Sequence, residues 1–411
     1  MIQIAMLPSD RVMLASVQGL RGLALLAVVL GHLSFVELKY GQVALVLYPL
    51  PFKTHGHAAV DTFFVISGFF IVYTTRGWFG SARGVLAFAY RRFTRIYPLW
   101  WFYSLLVLPV FLFHPHMVNS ADGNQVNLFT SFLLLPDRHL PLIPVGWSLV
   151  QEIYFCAGFS LLLFLPERRL PYALLAWASF DLAMIALQLA IESSNPWLKL
   201  LGSPLNLEFL MGAAVALVAE QRLLKRPALA IAIGLILSFG GYQMYVSVTG
   251  NLLVDEFNRV LLYGVPACLY VYGLVSLELS GQPGPLSRLK WMGNSSYSTY
   301  LGHVLVISGL GRLWAQIGVP GHLPHALFLA VCLIASFVAG ELSYRYLEKP
   351  VLRFAKRYDP SRRTVASEAL AKPAVLVQAR PAFAAETTTK PATLAASPYG
   401  HEKLIGDNIN K

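Results

Sequence analysis

The sequence predicts an all-α protein that crosses a membrane about ten times as one helical bundle with a polar cavity. Three observations carry that prediction. Of 411 residues, 56% are hydrophobic and only 13% charged, where soluble domains carry about 25% charge. Mean hydropathy is +0.57, and the apolar residues collect in runs of membrane-spanning length. The basic residues collect in the short segments between those runs. The net charge of +11 therefore reads as topological, and no nucleic-acid partner is expected.

The runs fall near residues 17–37, 58–76, 96–113, 144–166, 170–191, 204–220, 227–247, 258–279, 294–318 and 323–346. The first follows Arg11 and Arg21 but precedes no small-residue cleavage site, so it reads as an uncleaved helix. Charge tests the connections. Arg76, Arg83, Arg91, Arg92 and Arg95 occupy one; Arg168 and Arg169, then Arg222, Lys225 and Arg226, then Arg288 and Lys290 occupy alternate ones; Lys349, Arg353, Lys356 and Arg357 follow the last run. The other set holds Lys39, Lys53, Lys199 and Arg259 among acidic residues such as Asp122, Glu192, Asp255 and Glu256. With ten spans every strongly basic connection lies on one side. Both termini are then cytoplasmic in a protein of the cell (inner) membrane. From Asp359 the chain turns Ala-, Thr- and Pro-rich without apolar period, so a transmembrane domain over 1–358 and a disordered cytoplasmic tail over 359–411 are expected. Cys156, Cys268 and Cys332 sit singly in apolar runs, too far apart for a metal motif; they read as packing residues, and no metal is expected.

Polar groups inside the runs mark the candidate site. Arg21 and His32 are eleven residues apart, on nearly one face of a helix and roughly 16 Å apart along it. An ionisable group that deep in a bilayer is costly and usually functional. In the second run Asp61 and Gly68 share a face two turns apart, with Ser67 beside the glycine; a small-residue packing seam capped by an aspartate explains them equally well. The third opens Arg91-Arg92-Phe-Thr-Arg95-Ile-Tyr-Pro98. Arg92 and Arg95 are neighbours on a helix surface, and forked guanidinium donors suit phosphate. Pro98 suits a first turn or a kink. The fourth carries Trp147, Ser148 and Glu152, the last two one turn apart; a carboxylate there needs a cationic partner. The ninth aligns Ser296, Thr299, Tyr300 and His303. The last ends with Glu341, Arg345 and Glu348 at pairing distance along a helix.

Taken in order, these segments resemble the acyltransferase 3 family of membrane acyltransferases. The matching residues are Arg21 and His32; Asp61, Phe64, Ser67 and Gly68; Arg91, Arg92 and Arg95 to Pro98; Trp147, Ser148, Leu149, Glu152 and Phe155; Ser296, Tyr297, Tyr300, Leu301 and His303; and Glu348 to Pro350. The resemblance spans about Gln18 to Pro350. It implies transfer of an acyl group, often acetyl, from acyl-CoA to a carbohydrate hydroxyl on exopolysaccharide, lipopolysaccharide or a glycoside. His32 matches the family's essential histidine and Arg21 its paired arginine, while Arg92, Arg95 and Glu152 match further motif positions. Ile153 stands where many members have a second carboxylate, which is closer to the exopolysaccharide and O-antigen branch. On this reading His32 is the general base or the first acyl acceptor, Glu152 or Asp61 orients it, and Arg21, Arg92 and Arg95 hold the donor's phosphates. Ser67, Trp147, Ser148, Tyr300 and His303 line the site. Expected partners are a carbohydrate or glycolipid acceptor, membrane lipid and polysaccharide-assembly machinery. A proton-coupled transporter or flippase would use the same intramembrane groups; a non-catalytic scaffold would leave them unexplained.

Overall fold

The computed structural model describes residues 14–40, 52–220, 226–282, 284–317 and 322–361. These residues form helices and connections without a strand. Ten helices dominate: α1 (Ala15–Tyr40), α2 (Phe52–Thr75), α3 (Ala82–Phe113), α4 (Trp147–Leu162), α5 (Leu170–Ile191), α6 (Asn206–Glu220), α7 (Pro227–Thr249), α8 (Val265–Leu279), α9 (Ser296–Ile317) and α10 (His322–Ser343). They answer one for one to the ten apolar runs. Nine helical segments among the described residues are long and apolar enough to cross a membrane. The tenth expected span is α9, a full-length helix whose Ser296, Ser298, Thr299, Tyr300 and His303 are all buried. Its polar stripe lowers its hydropathy because that stripe faces protein rather than lipid.

α3 and α4 depart from the expected bounds in ways that shape the site. α3 begins far ahead of residue 96, where Ser81 Oγ accepts from the Gly84 N–H at 2.9 Å and caps the first turn. Arg92 and Arg95 therefore project from the helix, and Pro98 lies inside it. α4 has only 16 residues, about 24 Å. The chain before it folds back along α3. Trp100 and Trp101 donate their indole N–H groups to the Ser131 and Phe132 carbonyls, each at 3.0 Å, and the Tyr97 hydroxyl donates to Leu133 at 2.9 Å. α4 thus starts deep in the protein.

α2 is the central helix, with 72% of its span buried, whereas α5 and α7 bury 17% and turn apolar side chains such as Phe180, Leu189 and Ile236 outward. Such outward apolar faces suit lipid. Glycine sets the closest helix approaches. A Cβ at Gly68 would overlap the Phe209 carbonyl of α6, and one at Gly212 would overlap the Val65 carbonyl of α2. Small residues permit this backbone contact. It draws Asp61 of α2 toward α6.

The basic stretch after α10 is ordered by α3. The Tyr90 hydroxyl donates to the Ala355 carbonyl at 2.9 Å, and Arg91 reaches Asp359 at 2.6 Å and Ser361 at 2.7 Å. The folded part therefore runs past Tyr358, through Ser361. The rest of the expected tail lies outside the described residues.

Candidate active site

A cavity of about 350 Å³ opens between the first turns of α1, α4 and α9, the arginine-bearing half of α3, the stretch of α2 from Val60 to Thr74 and the segment that follows α10. It lies at the helix ends that carry the basic connections. Arg21, Arg92 and Arg95 line it, against Glu152 and Glu348. The ion pairs are loose: Arg92 to Glu152 is 4.0 Å, and Arg95 to Glu348 is 3.5 Å. Arg21 donates to Gln18 Oε1, one turn back, at 3.3 Å. Three guanidinium groups thus face two carboxylates, and long pairs leave donors to offer to an anion.

Glu348 reaches this cavity against expectation. Arg345 pairs with Glu341 at 2.6 Å, as its spacing predicts. Glu348, expected to pair with Arg345 as well, instead accepts from Ser298 Oγ at 2.6 Å and faces Arg95. The cause is a π-helical turn over Tyr344–Glu348. Its wider winding rotates Glu348 inward while Arg345 stays at the surface.

His32 stands beyond Tyr300 rather than among the residues that line the cavity. Its imidazole meets His303 edge-on with ring centroids 4.9 Å apart, and His303 is 6.0 Å from Tyr300. Tyr300 lines the cavity. Both histidines are held alike: Nδ1 of His32 lies 2.9 Å from the Val28 carbonyl, and Nδ1 of His303 lies 3.1 Å from that of Thr299. A carbonyl only accepts, so each Nδ1 carries the proton and each Nε2 keeps its lone pair. Nε2 of His303 is buried without a partner. The expectation that a carboxylate orients His32 is corrected here: a backbone carbonyl one turn back does so. The Tyr300 hydroxyl donates to the Val145 carbonyl at 2.9 Å and lies 2.7 Å from Ser148 Oγ.

Asp61 is committed elsewhere. Arg259 grips it through Nη2 at 2.5 Å and Nε at 3.3 Å. Asp61 is fully buried and Arg259 nearly so. Glu208 of α6, also fully buried, interacts electrostatically with Asp61 and Arg259, and neither of its carboxyl oxygens has a hydrogen-bond partner. Residue types alone do not pair Asp61 with Arg259, which reads as a topological charge at the mouth of the eighth run. Glu208 is an intramembrane carboxylate like Glu152, and the same rule applies to it. Tyr297 and Glu348 also line the cavity, although the sequence marks them only as motif or pairing residues. The sequence-predicted Arg21, Arg92, Arg95, Glu152, Ser67, Ser148 and Tyr300 do meet in one place. Trp147 lies just outside, its indole edge-on to cavity-lining Phe64 at 6.1 Å. Among the described residues no group of three or more His, Cys, Asp or Glu side chains is placed to hold a metal ion.

The family model described as an acyltransferase domain matches residues 14–341. The chain belongs to the acyltransferase 3 family. It is an acyltransferase and a multi-pass membrane protein. The exopolysaccharide production protein ExoZ of Rhizobium meliloti is 31% identical over 309 residues, covering 73% of this chain and 90% of that protein. The acyltransferase MdmB of Streptomyces mycarofaciens is 26% identical over 398 residues, covering 86% of this chain and 95% of its own. The peptidoglycan O-acetyltransferase OatA of Listeria monocytogenes is 26% identical across 82% of this chain, which spans about half, 55%, of that longer protein. No solved structure matches. Family membership sets the transporter and scaffold readings aside.

Proposed function

We propose that this acyltransferase moves an acetyl or other short acyl group from acyl-CoA to a carbohydrate hydroxyl, acting in the cell (inner) membrane with both termini cytoplasmic. The observation that carries the reading is the arginine cavity at the basic end of the bundle, joined through Tyr300 to two histidines whose Nδ1 atoms are held by backbone carbonyls. The names of ExoZ and OatA, an exopolysaccharide protein and a peptidoglycan O-acetyltransferase, support a polysaccharide acceptor.

In this mechanism the donor's phosphates sit on Arg21, Arg92 and Arg95. Its thioester reaches past Tyr300 toward His32. His32 Nε2 takes the proton of the acceptor hydroxyl as that oxygen attacks the thioester carbonyl. The carbon–sulfur bond then breaks, and the proton passes to the departing CoA thiolate. In the covalent variant His32 Nε2 attacks the thioester first and the carbon–sulfur bond breaks to release CoA thiolate. The acceptor hydroxyl then attacks the acyl group, the acyl–nitrogen bond breaks, and the hydroxyl proton passes to the thiolate. Glu152 keeps the arginines placed; Asp61 acts through the buried cluster with Arg259. The catalytic unit extends through Ser361.

Surface polysaccharide is to be analysed for ester-linked acyl groups with the protein present, absent, or carrying Arg95→Ala. Loss of ester on deletion is expected, with an acetyl-CoA KM for Arg95→Ala raised about one to two decades. Lysine at that position should restore little, because the fork is lost. Identical ester content with and without the protein would overturn the function, and an unchanged KM would remove Arg95 from the donor site.

A further inference from the structure

A second cavity, about 520 Å³, opens at the opposite helix ends from the arginine cavity. Its walls are the connection that folds back before α4, the last turn of α5, the segment before α6 and the first turn of α4. One helical turn therefore serves both cavities. Ser148, Leu149 and Glu152 face the arginine side, while Trp147, Val150 and Gln151 face this one. Trp147 and Phe64, ring to ring at 6.1 Å, stand between them.

The lining chemistry differs sharply from the first cavity. Charges lie near balance, with Asp137, Asp255 and Glu256 against Arg138 and Lys199. The carboxylates are spent on neighbouring polar groups. Asp137 accepts from Thr130 at 2.8 Å, Asp255 from the Asn258 amide at 2.7 Å, and Glu256 from Ser203 at 2.9 Å. Two carboxamides are not spent. Gln151 is 8% exposed and its Oε1 has no partner. Gln188 is anchored by its Nε2, which donates to the Ser193 carbonyl at 2.9 Å, while its Oε1 has none. A buried acceptor left open is costly unless something donates to it. Neutral hydroxyls do so without the penalty of burying a charge.

We propose that this cavity holds a neutral glycosyl segment of the acceptor, with Gln151 and Gln188 accepting from sugar hydroxyls beside the Trp147 indole. The assignment rests on the acyl-transfer reading and completes it: donor and acceptor approach from opposite ends and meet at the first turn of α4. The near-balanced charge here offers phosphate less than the three arginines of the other cavity do, which keeps the acyl-CoA on the arginine side.

The test uses the full-length protein in lipid nanodiscs with acetyl-CoA as donor. The acceptor is surface polysaccharide from cells lacking the protein and, in parallel, lipid-linked repeat units from the same cells; the source whose KM responds is the one the cavity takes. Gln151→Leu and Gln188→Leu should each raise the acceptor KM about tenfold. The KM for acetyl-CoA should not change, and retained acetyl-CoA binding shows that each variant is folded. A normal acceptor KM in both variants, or an equal rise in the acetyl-CoA KM, overturns the assignment while the transfer reading stands. If the wild-type protein acylates neither acceptor, direct glycan binding decides. Binding weakened by both variants keeps the cavity as a glycan site and discards the transfer reading; no binding discards both.

Discussion

Arg259→Met should be among the most damaging single substitutions, for a reason the geometry supplies. Arg259 is the cation of a cluster that also contains Asp61 and Glu208, both fully buried. Removing one partner of a buried pair costs about 3–5 kcal/mol. Here the loss strands two carboxyl groups away from water. Asp61→Asn should cost less, about 1–3 kcal/mol, because Arg259 keeps Glu208 as a counter-charge and cannot itself shed its proton. The double variant should fall between, since it strands one carboxyl fewer than Arg259→Met. Thermal denaturation in detergent measures the order, with a thiol-reactive fluorophore reporting exposure of the buried Cys156 and Cys332. The wild type should melt highest, followed by Asp61→Asn, the double variant and Arg259→Met. An Arg259→Met protein as stable as Asp61→Asn would refute the three-membered cluster and leave a simple two-residue bridge.

Three further outcomes follow from other parts of the molecule. His32→Ala should lower kcat about 10²–10⁴-fold while acetyl-CoA binding and membrane insertion stay normal; near-normal turnover by a well-folded variant would sink the proposed base. Gly68→Val should force α2 from α6 and cost at least about 1–3 kcal/mol, whereas Gly240→Ala, where a Cβ meets open space, should be neutral or stabilising by up to about 1 kcal/mol; denaturation midpoints compare the two. Burial opposes ionisation of Asp359, but hydrogen bonds from Ser361 and Arg91 outweigh it and hold this carboxyl below the usual aspartate range. A depressed value contributes stability above about pH 3.9, the ordinary aspartate value, and loses it as pH falls through the depressed one. Limited acid-protease cleavage near Lys356–Tyr358 should therefore accelerate only in strongly acidic buffer, and a rate insensitive to pH there would argue against the Arg91 clasp.

Composition and periodicity determined the helical membrane class, the order of ten helices and most of their bounds. The hydrophobic effect acts on each segment separately, so local sequence suffices for it. The motif residues were legible too, because a charged or titratable group inside an apolar run declares itself wherever the run later packs. Arg21, Arg92, Arg95, Glu152 and Tyr300 accordingly meet in one cavity. Partners were not legible. Asp61 chose Arg259, 198 residues away, and His32 took the carbonyl of Val28 rather than a carboxylate. Glu348 turned from Arg345 to Arg95 through one wide helical turn. The cavity that holds Gln151 and Gln188 exists only because a connection folds back beside α3. Such pairings depend on which faces of distant helices come together, through glycine contacts like Gly68 with Phe209. That choice is made by the packing of the whole bundle, which settles the partners of its buried charges together, and no single segment carries it.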